Sequence, residues 1–148
     1  MRALALALLL VACGETDWPR AIYPSIGATD EQREVVQRVV RRWNQLSEEE
    51  LGRHIVLYDN GDVTVWINPD IEWPCDSPSD PACAEIDGYN VYIRWNEYAE
   101  DYLTHEVGHI LGLYDRDDGA GVMSRSGGLV FDALDRANLR ALAQSQSG

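Results

Sequence analysis

The run His105-Glu106-Val107-Gly108-His109-Ile110-Leu111-Gly112-Leu113-Tyr114-Asp115 constrains this chain more than any other stretch. On an α-helix, positions four apart lie one turn apart on the same face, so His105 and His109 present both imidazoles to one point. Gly112 can take the left-handed conformation that ends a helix and turns the chain back. Two histidines and a glutamate on one face also arise by chance or in packing, so the residues around them decide between a packed helix and a metal site.

Composition narrows the setting. A chain of 148 residues fits one domain with a real core. With 45% hydrophobic residues and five tryptophans it is not a disordered chain. A net charge of -13, with twelve basic residues that form no long run, excludes a nucleic-acid partner.

Residues 1–12, MRALALALLLVA, carry one positive charge and then an apolar run that ends in small residues, the pattern of a secretory signal. The run is shorter than the about 20 apolar residues that span a bilayer. It stops at Cys13, and LVAC resembles the lipobox of bacterial lipoproteins, whose cysteine becomes the lipidated first residue. The organisation expected is a lipoprotein-type signal peptide at 1–12, a lipidated N-terminus and tether at 13–28, and a folded domain over 20–148. That places the chain outside the cytoplasm, periplasmic or at the cell surface, held to a bacterial membrane by Cys13. Cys75 and Cys83 then remain as a pair eight positions apart in a loop rich in Pro, Ser and Asp. A disulfide is expected there, because the spacing lacks the CxxC pattern of a zinc site.

Along the chain, an extended segment is expected around Arg20 to Ile26. From Thr29 onward, a Thr or Asp cap, acidic first-turn residues and Val35, Val36, Val39, Val40, Trp43 and Leu46 at helical spacing predict a core-facing helix. Residues 53–69 read as two strands joined by an Asn60-Gly61 hairpin turn. Residues 85–95 give one or two further strands with Asp87-Gly88 as a turn. A helix capped by Asn96 runs to Leu111, and a terminal helix covers Asp132 to Ala143. Tyr98 and Tyr102 share a helical face and are expected in the core.

The HExxH spacing lets His105 and His109 hold one metal ion while Glu106 reaches a bound water without binding the metal. A catalytic zinc takes three protein ligands and keeps one position open. No Glu follows Glu106, which excludes the thermolysin-like third ligand, and His54 lies far upstream. Asp115 stands six residues beyond His109, with Gly112 between them.

HEVGHILGLYD resembles the metzincin signature HExxHxxGxxH/D, in the variant with Asp as third ligand found in small snapalysin-type and matrixin-like bacterial proteases. GAGVMSRSG, with Met123 fourteen residues after His109, resembles the metzincin Met-turn. The resemblance implies an α+β fold: a twisted mixed β-sheet with a backing helix, an active-site helix and a C-terminal helix. It implies one catalytic Zn2+ held by His105, His109 and Asp115, with Glu106 as general base and acid and Met123 beneath the site. The activity implied is a zinc-dependent endopeptidase that hydrolyses peptide bonds of protein or peptide substrates with a metal-activated water. A monomer is expected.

Some metzincins have a tyrosine two positions after the methionine that supports the oxyanion. Arg125 stands there, so that support must come from zinc, backbone donors or a side chain such as Tyr114. Residues 124–130 follow the Met-turn where the family shapes its specificity pocket, and Arg125 there can favour an acidic substrate side chain. Asp117 and Asp118 beside Gly119 offer calcium an incomplete set of oxygens, and a solvated acidic loop is the plainer expectation. Two alternatives stay open. One is a catalytically silent, zinc-stabilised binding module of the same fold; the other is an aspzincin-like peptidase with Asp132 or Asp135 as third ligand.

Overall fold

The computed structural model describes residues 18–87, 89–118, 120–125, 128 and 130–146. Cys13, the expected signal segment at 1–12 and the first residues of the expected tether, up to 17, lie outside the described residues, while Arg20–Pro24 within that expected tether form a strand. Among the described residues, no helix is long and apolar enough to cross a membrane.

The elements are β1 (Arg20–Pro24), α1 (Asp30–Leu51), β2 (Val56–Tyr58), β3 (Val63–Ile67), β4 (Ala82–Glu85), β5 (Asn90–Ile93), α2 (Ala99–Ile110) and α3 (Ala133–Gln146). The strands form one sheet in the order β2-β1-β3-β5-β4. Four run parallel, and β4 pairs antiparallel with β5 at one edge. This is the mixed sheet with three helices that the sequence led us to expect, α2 carrying His105, Glu106 and His109.

α1 starts where Thr29 caps it: the Thr29 hydroxyl accepts from Gln32 N at 3.2 Å, and the Gln32 side chain accepts from Thr29 N at 2.8 Å. This reciprocal box satisfies two backbone donors that a helix start otherwise leaves open. The helix ends at Gly52, whose φ of 68° is the left-handed cap glycine tolerates. Its stripe Val35, Val36, Val39, Val40, Trp43 and Leu46 is buried, together with Ile22, Val63, Val65, Val91 and Ile93 from the sheet. α2 is tied to α1 by polar contacts as well: Trp43 Nε1 donates to Thr104 O at 3.0 Å, and Arg42 donates to the Thr104 hydroxyl at 3.0 Å.

The hairpin expected at Asn60-Gly61 is not formed. β2 runs parallel to the first half of β1 and β3 parallel to its second half, on the opposite edge, so that Ile22 pairs with Tyr58 on one side and Val63 on the other. Neither Asn60 nor Gly61 takes the positive φ that the two-residue turn demands. Residues 59–62 instead pass across β1 at Ala21, where a Cβ on Gly61 would sit 3.0 Å from the Ala21 Cβ. The cause lies in α1. Asn44 accepts from Ile55 N and Val56 N, each at 3.1 Å, and donates to Val56 O at 2.8 Å, which delivers the chain to the start of β1 rather than its end. One passing segment then satisfies both edges of β1, as buried backbone groups require.

β4 and β5 pair antiparallel, with Tyr89 at a φ of 51°, and Gly88 of the expected Asp87-Gly88 turn lies outside the described residues. Cys75 and Cys83 are joined as a disulfide, which pins the 75–83 loop to the edge strand β4. Arg94 holds the same loop from below, donating to Pro78 O and lying 4.2 Å over the Trp73 ring.

Candidate metal centre and cleft

α2 and its cap create the site. The helix closes with a Schellman motif: Leu113 N donates to Gly108 O at 2.9 Å and Gly112 N to His109 O at 3.0 Å, with Gly112 at a φ of 104°. The turn also aims a carbonyl back at the helix, and His109 Nδ1 donates to Leu113 O at 2.9 Å. His105 Nδ1 donates to Val122 O at 2.7 Å, from the segment that carries Met123.

A carbonyl can only accept, so both Nδ1 atoms carry the proton, and a neutral ring then has a lone pair on Nε2. Those lone pairs converge. The two Nε2 atoms are 3.2 Å apart, and Asp115 Oδ1 lies 3.0 Å from His105 Nε2 and 3.1 Å from His109 Nε2. Three electron-pair donors at such spacing repel unless a proton or cation lies between them. Ligand atoms on a tetrahedral zinc, at ~2.0–2.1 Å from the ion, stand about 3.3 Å from one another, so the donor set fits zinc in both kind and size. Among the described residues, His105, His109 and Asp115 form the group able to hold a metal.

Glu106 and these three residues line one cleft of about 560 Å³. Burial pushes the Glu106 carboxyl above its usual range. The opposite wall is β4 with its lead-in, Asp80, Pro81, Ala82, Cys83 and Ala84. Tyr98, expected in the core, instead lines this cleft at 54% exposure, whereas Tyr102 lines the cleft and also packs, partly buried, against the core. The reason is that the helical stripe facing the sheet is filled by Ala99, Leu103, Val107 and Ile110, which leaves the tyrosines on the open side.

Arg125 also lines the cleft, paired with Asp117 at 3.0 Å. Tyr114 is exposed and does not line it. The calcium reading of Asp117 and Asp118 is not supported: Asp117 is engaged by Arg125, and Asp118 accepts from Arg116 at 3.0 Å, so the two carboxylates serve different arginines.

Met123 is buried beneath α2. A Cβ on Gly108 would overlap its sulfur and stand 3.1 Å from Trp43 Cζ2, so the glycine inside HEVGH is required by close approach. Behind the methionine lies a network that sequence reasoning missed. The Arg116 guanidinium forks onto both oxygens of Asp132 at 2.8 and 2.7 Å and reaches Asp135 at 3.0 Å. Asp135, wholly buried, accepts from Val122 N at 2.8 Å and Met123 N at 3.3 Å. Asp132 and Asp135 are thus bound to Arg116 and the Met123 turn, which removes them as third ligand. Burying a carboxylate at no exposure requires such partners. The Arg116 fork holds the Asp132 carboxyl far below the usual carboxylate range, and Asp132 in turn raises the guanidinium. A signal was present in Gly121, where a side chain would collide with Asp135 and stand 2.7 Å from Asp132 Oδ1.

No protein-family model matches the chain, and no curated protein does. Among solved structures, archaemetzincin from Methanopyrus kandleri is similar, with a TM-score of 0.54 and 16% identity over 91% of this chain and 99% of that one. The likeness extends to nearly the whole of both chains and does not single out a snapalysin-type or matrixin-like variant. It shows that the two proteins share a fold.

Proposed function

We propose that the protein is a zinc-dependent endopeptidase in which His105, His109 and Asp115 hold the ion and Glu106 moves the proton. The observation that carries this reading is the convergence of the two Nε2 atoms and a carboxylate oxygen within 3.0–3.2 Å, beside a half-buried glutamate in an open cleft. Zinc, when bound there, supplies a Lewis acid that polarises a peptide carbonyl and makes water a better nucleophile near neutral pH.

The chain's own residues do the rest. Leu113 O and Val122 O fix the two rings in one tautomer and orientation. Glu106 takes the proton of the attacking water and delivers it to the departing amide nitrogen, so that the broken peptide leaves as an acid and an amine. The cleft between α2 and β4 has room for an extended peptide. We further propose an extracytoplasmic location with a lipid on Cys13; the Cys75–Cys83 disulfide agrees with an oxidising compartment.

The test is metal analysis of the full-length protein with a casein and peptide-library digest. About one zinc per chain is expected, with Glu106→Ala retaining metal but losing cleavage, and Asp115→Ala losing metal affinity. Undiminished cleavage by Glu106→Ala would remove the mechanism, and zinc binding without cleavage by the wild type would leave a silent binding module.

A further inference from the structure

We propose that Arg116 is a positioning residue that sets the metal affinity of the His105, His109 and Asp115 group by fixing two of those ligands to one frame. The inference rests on the zinc reading above and concerns residues that touch neither metal nor substrate.

Residue 116 is held at three points. Its N–H donates to Met123 O at 2.9 Å, and its carbonyl accepts from Arg125 N at 2.8 Å. Its side chain, only 9% exposed, is clasped by Asp118, Asp132 and Asp135. Asp115 is the next residue back along the chain, and its short side chain has little reach of its own, so where residue 116 sits decides whether the carboxylate lies over the histidines. The same guanidinium contacts Asp135, whose carboxylate receives the N–H groups of Val122 and Met123. Val122 O in turn holds His105 Nδ1. Arg116 therefore ties Asp115 on one side and His105 on the other to the start of α3 (Ala133–Gln146).

A planar guanidinium is needed for this. It serves three carboxylates from one plane, Asp132 through a fork and Asp135 and Asp118 through one bond each, and an ammonium cannot reproduce that pattern. Arg116→Lys keeps the charge and loses the geometry, which separates position from electrostatics.

The test is zinc affinity of the full-length protein, measured by competition with a chromophoric chelator, for wild type, Arg116→Lys, Asp132→Asn and Leu139→Ala. Leu139 is a buried apolar residue of α3 and controls for stability loss alone. Thermal midpoints without metal are measured alongside, and cobalt(II) spectra report the ligand sphere. Arg116→Lys is expected to weaken zinc binding by about 10–100-fold, the range for outer partners of metal ligands, and to shift the cobalt spectrum. Asp132→Asn should weaken it in the same direction by a smaller factor and decides the matter if Arg116→Lys does not fold. Leu139→Ala should lower the midpoint while leaving affinity and spectrum near wild type. Affinities within twofold of wild type in the two network variants, or losses no larger than that of Leu139→Ala, overturn the proposal while leaving the zinc site standing. A wild type that binds no zinc overturns both.

Discussion

Gly108 and Met123 are the residues whose identities are most tightly bound to each other. Alanine at 108 gains about 1 kcal/mol of helix propensity over glycine. Its Cβ would overlap the Met123 sulfur and crowd Trp43, and both side chains are buried with nowhere to retreat. Overpacking of this kind costs about 1–3 kcal/mol, so the steric term wins, and Gly108→Ala is expected to lower stability by about 1 kcal/mol net. Met123→Ala alone should cost about 2–5 kcal/mol as a cavity. In the double variant the new Cβ fills part of that cavity, so its loss should fall short of the sum of the two single losses by at least about 0.5 kcal/mol. Urea denaturation of the four proteins measures the cycle, and strict additivity would mean that the two residues are not in contact. Of the residues at the site, the histidines, Glu106 and Gly112 could be read from spacing because their chemistry is local to one helix and its end, whereas Asp115 and Met123 followed from the resemblance to the metzincin signature and Met-turn. Asp135 could be read from neither: an aspartate at a helix start is ordinary, and only its burial against Val122 and Met123 shows its part.

Elements were legible where one face decides them. The stripe of α1, its Thr29 cap and the end of α2 at Gly112 follow from helical period and backbone freedom. The β2–β3 connection was not legible, since Asn60-Gly61 suits a hairpin, and what overrides it is the distant Asn44 side chain. The edge strand β4 depends on a different constraint. Pro81, Ala82 and Cys83 form a wall of the cleft, and the loop before them is closed by the Cys75–Cys83 disulfide. Closing a loop of this length contributes about 2–3 kcal/mol through the unfolded chain. Cys75→Ser with Cys83→Ser is expected to lose that amount in urea denaturation. With a peptide substrate, KM should rise several-fold while kcat changes less, because the wall loosens and Glu106 stays on its helix. An unchanged KM would detach the loop from substrate binding.

At the scale of the whole molecule, charge governs how stability responds to acid. The chain carries -13, so protonating exposed carboxylates relieves repulsion and works in favour of the fold as pH falls. Asp132 works the other way. Its carboxyl pKa is depressed in the folded protein by Arg116, and in the unfolded chain it returns to the ordinary value near ~3.9. The folded state therefore binds fewer protons than the unfolded state between those two values, and stability must fall as pH drops through that window. The contribution of the pair is complete above the unfolded value and disappears only below the folded one. Subtracting Asp132→Asn from wild type cancels the repulsion common to both. Their difference in thermal midpoint is expected to be constant from about pH 7 to 5 and to shrink steadily below about pH 4. A difference that stays flat to pH 2.5 would show that the carboxylate is not tied to Arg116 in the folded protein.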